Sequence, residues 1–191
     1  MEYQEIYLAG GCFWGLSHLF SQIKGVAKAI CGYANGKSIN PSYKEVCSGQ
    51  TEALECVKVI YDANLVSLEN LLFHYFAVVD PNLKNQQGND IGKQYQTGIF
   101  YLKDDLNTKN IVDKIYALEK NNSPLFYIEK SPLLNFFEAE EYHQDYLFKN
   151  PNGYCHIPLG LINRLKDINI KPYEYTIKAK ELLKLKDGSI K

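Results

Sequence analysis

Apolar and polar positions follow two rhythms along this chain. "EIYLAG" (5–10) is a short apolar run ending in glycine and predicts a strand. "FWGLSHLFSQIKG" (13–25) carries Leu16, Leu19, Phe20 and Ile23 at helical spacing, with Gly25 where a helix would stop. "VAKAICGYANG" (26–36) predicts a strand running into an Asn-Gly turn. Residues 37–50 read as loop, with Asn40-Pro41 as a turn signal. The clearest strand is "ALECVKVIYD" (53–62). A helix is expected over 67–80, N-capped by Ser67; Asn70 stands where a capping box needs Glu or Gln. A polar loop (81–94), a strand (95–102) and a helix (106–120) follow. Residues 125–130 and 135–140 look like short strands, and 140–150 like a helix stopped by Asn150-Pro151. Residues 151–160 are rich in turn formers, and the Lys-rich remainder holds an amphipathic helix candidate around 176–187.

This order predicts an α+β fold: a mostly antiparallel mixed sheet with packed helices, a ferredoxin-like two-layer core and long functional loops. A length of 191 residues suits one domain. Residues 1–158 are expected to form the main domain, and residues 159–191 a C-terminal Lys-rich tail with a helix that belongs to the same unit. Convergence of the loops 37–50, 81–94 and 149–160 on one site is an expectation about space that the sequence itself does not show.

Composition narrows the function classes. With 46% hydrophobic and 23% charged residues, the chain matches an ordinary globular protein. A net charge of -1 gives no electrostatic case for nucleic acid or an anionic membrane. No apolar run approaches a membrane span, and the N-terminus enters a strand with no signal-peptide pattern, so a cytoplasmic location is expected. The five cysteines, Cys12, Cys31, Cys47, Cys56 and Cys155, are odd in number and include no C-x-x-C pair. That speaks against a zinc site or a disulfide framework. No metal or organic cofactor is expected.

Cys12 is the unusual thiol. It lies in "GGCFWG" between two glycines and the chain's one tryptophan, where a strand gives way to a helix. Free N–H groups at a helix start stabilise a thiolate, so the position predicts a lowered pKa and a nucleophilic sulfur. A small buried cysteine is the plain alternative. Two other classes stay open on the residues alone. A thiol hydrolase would need His18, His74, His143 or His156 as its base. A redox sensor would form a disulfide without turning over a substrate.

"GCFWG" resembles the signature of the A-type peptide methionine sulfoxide reductases. "CGYANG", "NPSYKEVCSG", "VKVIYD", "DPNLKNQQGNDIGKQYQTGIFY" and "EEYHQDYLFKNPNGYC" resemble successive blocks of that family, in order, over residues 5 to 157. The resemblance implies reduction of methionine S-sulfoxide, free or in oxidised proteins, with Cys12 as nucleophile. It implies Phe13 and Trp14 as walls for the S-methyl group, Tyr43 and Tyr95 as hydroxyl donors to the sulfoxide oxygen, and Asp90 nearby. The family's Thr-Gly-His-Ala-Glu is here Thr51-Glu52-Ala53-Leu54-Glu55, so two glutamates compete for the proton-donor role. Counting back from "VKVIYD" selects Glu55. Strand alternation agrees, since Glu55 shares a face with Val57, Val59 and Tyr61 while Glu52 shares one with Lys58. Cys155 matches the resolving cysteine, which condenses with the Cys12 sulfenic acid. The resulting disulfide implies thioredoxin, or a similar dithiol, as reductant.

Overall fold

The structure is a computed structural model that describes residues 2–176; the helix expected around 176–187 lies, past its first residue, outside them. The first strand, β1 (Tyr3–Ala9), turns at Gly10 into helix α1 (Phe13–Ser21), and β2 (Val26–Ala34) returns. A short helix α2 (Tyr43–Cys47) precedes β3 (Leu54–Asp62) and α3 (Leu68–Val78). A two-strand ribbon, β4 (Gln86–Gln87) with β5 (Asp90–Ile91), leads into β6 (Gly98–Tyr101). Then come α4 (Leu106–Asn121), β7 (Glu129–Pro132), β8 (Phe136–Glu138), α5 (Tyr146–Lys149) and α6 (Leu159–Leu165).

The main sheet has six strands in the order β7-β6-β1-β3-β2-β8. All its pairings are antiparallel except β6 with β7. The four inner strands and helices α1 and α3 form the expected split βαβ core. Alternation sorts the side chains. Ile6, Leu8, Val57, Val59 and Cys31 face the helices, whereas Tyr7, Ala9, Leu54, Cys56 and Phe100 form a smaller cluster behind the sheet. Leu16, Leu19 and Phe20 of α1 are fully buried, each worth about 1.5–3 kcal/mol relative to exposure. Ser67 caps α3, accepting the Asn70 N–H at 3.2 Å.

Three expectations need correction. Residues 37–50 are not all loop: Ser42 and Glu45 form a capping box, with Glu45 Oε2 accepting the Ser42 N–H at 2.8 Å, and α2 starts there. Residues 140–150 are not one helix. A 3-10 turn over Glu141–His143 and the short α5 are separated by Asp145, whose φ of 54° is left-handed. The strand expected over 125–130 starts only at Glu129. Beyond residue 158, Ile162, Leu165, Ile170 and Tyr175 are buried in the main core cluster, and Ile170 N–H donates to Asn70 of α3 at 2.8 Å.

Candidate active site

Strand register builds the site. The last pair between β1 and β3 is Ala9 with Cys56, and β2 sets Tyr33 opposite Glu55. Glu55 therefore stands one residue beyond the end of β1, on the helix-covered face, at the turn from Gly10 to Cys12. Glycine is required in that turn. A Cβ at Gly10 would lie 2.7 Å from Val79, and Gly11 has a φ of 78° with Gln87 2.6 Å from any added Cβ.

The two reacting candidates meet at the start of α1. Glu55 is 1% exposed, and its Oε2 accepts the Phe13 N–H at 3.1 Å. Burial pushes its carboxyl up to about 8, against the pull of that N–H and with a further push from Asp90. Cys12 is the N-cap residue of α1 and is 7% exposed. The lowered pKa expected for it is not what the structure gives. Burial first, and then Glu55, push the thiol well above its ordinary value, with only the Trp14 N–H pulling it down. The helix start does supply stabilising N–H groups, but desolvation outweighs them.

Aromatic rings wall the site. Phe13 is buried with its ring 5.0 Å from that of His143, and Trp14 stacks on Tyr146 at 3.7 Å. Trp14 Nε1 donates to His143 Nδ1 at 3.1 Å. That nitrogen is thus an acceptor, and neutral His143 carries its proton on Nε2. The Tyr43 ring lies 4.6 Å from the same imidazole. Burial, with Glu55 the foremost charged neighbour of each, pushes the phenols of Tyr43 and Tyr95 well above the usual value, so both stay neutral donors. The Tyr43 hydroxyl is engaged with the Cys47 thiol.

The last loop closes the site. His156 packs over Gly11, its Nε2 3.0 Å from a Cβ built there, and its Nδ1 lies 3.8 Å from Asp90 Oδ2. Both atoms of that pair are buried without a hydrogen bond. Cys155 is half-buried, and its Sγ lies 3.0 Å from a Cβ built at Gly15, one turn along α1 from Cys12. All five thiols are unpaired. The three long loops do converge, bringing Tyr43, Asp90, Tyr95 and Cys155 to the turn that holds Cys12, Phe13, Trp14 and Glu55. Glu52 points elsewhere: it is exposed, has a φ of 55° and is ion-paired with Lys37.

Three of the four histidines are engaged by other groups, and His156 lies over Gly11. His74 is fully buried between the carbonyls of Asn70 and Leu165, and His18 packs on Phe148. His143 is tied to Trp14, and the Glu55 carboxyl is hydrogen-bonded to the Phe13 N–H beside Cys12. Among the described residues, no cluster of three His, Cys, Asp or Glu is placed to hold a metal. Sequence reasoning missed Glu140, Tyr146 and the docking of His143 on Trp14. Local spacing in their block, "EEYHQDYL", predicts a helix, and the Tyr and His spaced through it were the available signal.

The family profile described as peptide methionine sulfoxide reductase matches residues 4–171. The chain is 53% identical over 154 residues to the peptide methionine sulfoxide reductase MsrA of Mycoplasma genitalium, covering 81% of this chain and 98% of that one. It is 52% identical to the MsrA of Clostridium botulinum (strain Hall), covering 82% and 99%. The crystal structure of Saccharomyces cerevisiae Mxr1 in reduced form superposes with a TM-score of 0.71 at 36% identity, covering 81% of this chain and 89% of that chain. Methionine sulfoxide reductase A of Corynebacterium diphtheriae gives 0.69 at 32% identity, covering 82% and 83%. A thiol at a helix start, a buried protonated carboxyl hydrogen-bonded beside it and aromatic walls around both thus occur on a chain that belongs to the peptide methionine sulfoxide reductase family.

Proposed function

We propose that this chain reduces the S epimer of methionine sulfoxide, free or within oxidised proteins, through Cys12, and that Cys155 resolves the product. The observation that carries the reading is the Glu55 carboxyl, held protonated at neutral pH while bonded to the Phe13 N–H beside Cys12.

The proton and electron ledger closes within these groups. The sulfoxide oxygen sits between the Tyr43 and Tyr95 hydroxyls, with the S-methyl group against Phe13 and Trp14. Glu55 gives its proton to that oxygen and takes up the proton that leaves Cys12. The substrate S–O bond breaks and a bond from oxygen to the Cys12 sulfur forms. Methionine sulfur is reduced by two electrons, and Cys12 is oxidised to a sulfenic acid. Neutral phenols aimed at the oxygen stabilise the negative charge it gains on the way. Asp90, between Tyr154 and His156, orders the loop beside this pocket.

Cys155 then attacks the Cys12 sulfur. The S–S bond forms, the S–OH bond breaks, and the hydroxyl leaves with the Cys155 proton as water. A dithiol of the thioredoxin class reduces the disulfide and returns both thiols. Five unpaired thiols suit a reducing compartment, and we assign the work to the cytoplasm. Among the described residues, no helix is long and apolar enough to cross a membrane.

The test is turnover of separated S and R epimers by the parent, Cys12→Ser and Cys155→Ser, with dithiothreitol and then with thioredoxin. The parent is expected to consume only the S epimer, and Cys12→Ser neither. Cys155→Ser should work with dithiothreitol and stall with thioredoxin after one methionine per chain. A folded parent that turns over neither epimer would sink the reading.

A further inference from the structure

Glu140 touches none of the groups assigned above to the substrate, yet it is bonded to the piece of chain that carries one of them. It follows β8 and opens the 3-10 turn Glu141–His143. Its Oε1 accepts the Tyr43 N–H at 2.8 Å, and its Oε2 accepts the Tyr33 hydroxyl at 2.7 Å. Tyr33 belongs to β2, opposite Glu55. The carboxylate therefore bridges the sheet and the first residue of α2.

α2 needs such a bridge. It is a five-residue helix, too short to be stable by itself. It buries Val46 alone, and its capping box satisfies only its own end. Among the described residues, the bond from Tyr43 N–H to Glu140 is the one hydrogen bond that joins α2 to chain beyond its own flanking residues.

The anchor itself is firmly placed. The Ala139 N–H donates to the Cys31 carbonyl at 2.9 Å. The Gln144 side chain accepts the Cys31 N–H and donates to the Cys31 carbonyl, both at 2.9 Å. The segment on either side of Glu140 is thus fastened to β2. It is also fastened to the aromatic wall, because His143, three residues on, takes the Trp14 N–H and packs against the Tyr43 ring.

We infer that Glu140 is a positioning residue for the reaction: it holds Tyr43 at the distance from Cys12 and Glu55 at which its hydroxyl meets the sulfoxide oxygen. The inference rests on the role given to Tyr43 in the proposed function. It adds that the fixed distance comes from a side chain in the late segment and not from α2 itself. A donor misplaced by about 1 Å loses much of its effect, so loss of the anchor should act on kcat more than on KM.

The experiment is a double-mutant cycle read by steady-state turnover of S-methionine sulfoxide with dithiothreitol. Glu140→Ala in the parent is expected to lower kcat by about 10-fold, and in a Tyr43→Phe background by less than about 2-fold, because the hydroxyl it positions is already gone. Combined with Tyr95→Phe, the same change should keep its full effect. Glu140→Gln retains a carbonyl oxygen for the Tyr43 N–H and should lose about 3-fold in the same cycle. That variant decides the matter if Glu140→Ala does not fold. An equal loss in the parent and Tyr43→Phe backgrounds, or no loss in either, overturns the assignment. If Tyr43→Phe itself turns over like the parent, it is the role of Tyr43 that has failed, and Glu140 has nothing to position.

Discussion

Glu55 and Glu140 start from the same motif. Each accepts a main-chain N–H from the first residue of a helix, Phe13 of α1 at 3.1 Å and Tyr43 of α2 at 2.8 Å. They end with opposite protonation. Burial pushes Glu55 up to about 8. Burial acts on Glu140 as well, but the Tyr43 N–H and the Tyr33 hydroxyl overcome it and hold that carboxyl below its ordinary range. The difference lies in depth and in the second oxygen. Among the described residues, Glu55 has no hydrogen-bond donor besides Phe13, and it faces Asp90. One main-chain N–H does not offset full desolvation, whereas an N–H plus a hydroxyl offsets partial desolvation. One geometry thus yields a protonated carboxyl and the other a fixed anion.

The largest break in this comparison comes from removing the proton. Glu55→Gln keeps an acceptor for the Phe13 N–H but has no proton to give, and kcat at pH 7 should fall by about 10²–10⁴-fold. In the parent, kcat/KM should fall as pH rises through about 8, the pH to which burial carries Glu55, and a pH profile checks it. Next comes the oxygen's other donors. Tyr95→Phe removes a hydroxyl with no effect on Glu140, and about a 10²-fold loss in kcat is expected from single-turnover methionine release.

The smallest effects are on stability, and they carry opposite signs. The folded state raises the Glu55 pKa, so folded chains hold a proton that unfolded chains have lost between the ordinary carboxylate range and about pH 8. Stability from this group is full at acid pH and declines across that window. Glu55→Gln should therefore gain Tm relative to the parent as pH rises to about 8, while losing activity. The folded state lowers the Glu140 pKa, so its contribution is present above the ordinary carboxylate range and disappears as pH falls through the folded value. Glu140→Gln should melt below the parent at neutral pH and converge with it in acid. Melting curves of both variants between pH 4 and 9 measure the contrast, and Tm differences of the same sign would refute it.

Much of this was legible beforehand because it depends on short-range pattern. Period-two alternation in "ALECVKVIYD" put Glu55 on the apolar face, and the register confirms that face down to its pairing with Tyr33. Helical spacing found α1 and α3 for the same reason. The box Ser42-Tyr43-Lys44-Glu45 was legible too, since Ser-x-x-Glu is a local signal, yet Asn40-Pro41 drew the whole segment into a loop. The elevated Cys12 pKa was not legible. A helix start is visible in sequence, but the depth of burial that overrides it comes from chain far away. Glu140 was hidden for a related reason. Its partners lie 97 and 107 residues earlier, and the left-handed Asp145 that ends its turn leaves no mark in apolar spacing.

The Gln144 amide has a consequence outside catalysis. It meets the N–H and carbonyl of Cys31 as a residue of a neighbouring strand would, just where β8 stops pairing with β2 at Gly32. An open rung beside an active site is a template on which an extended foreign chain adds itself as a further strand, and such additions seed aggregates. By filling that rung with a side chain, the molecule leaves an extended foreign chain no seat there on the sheet.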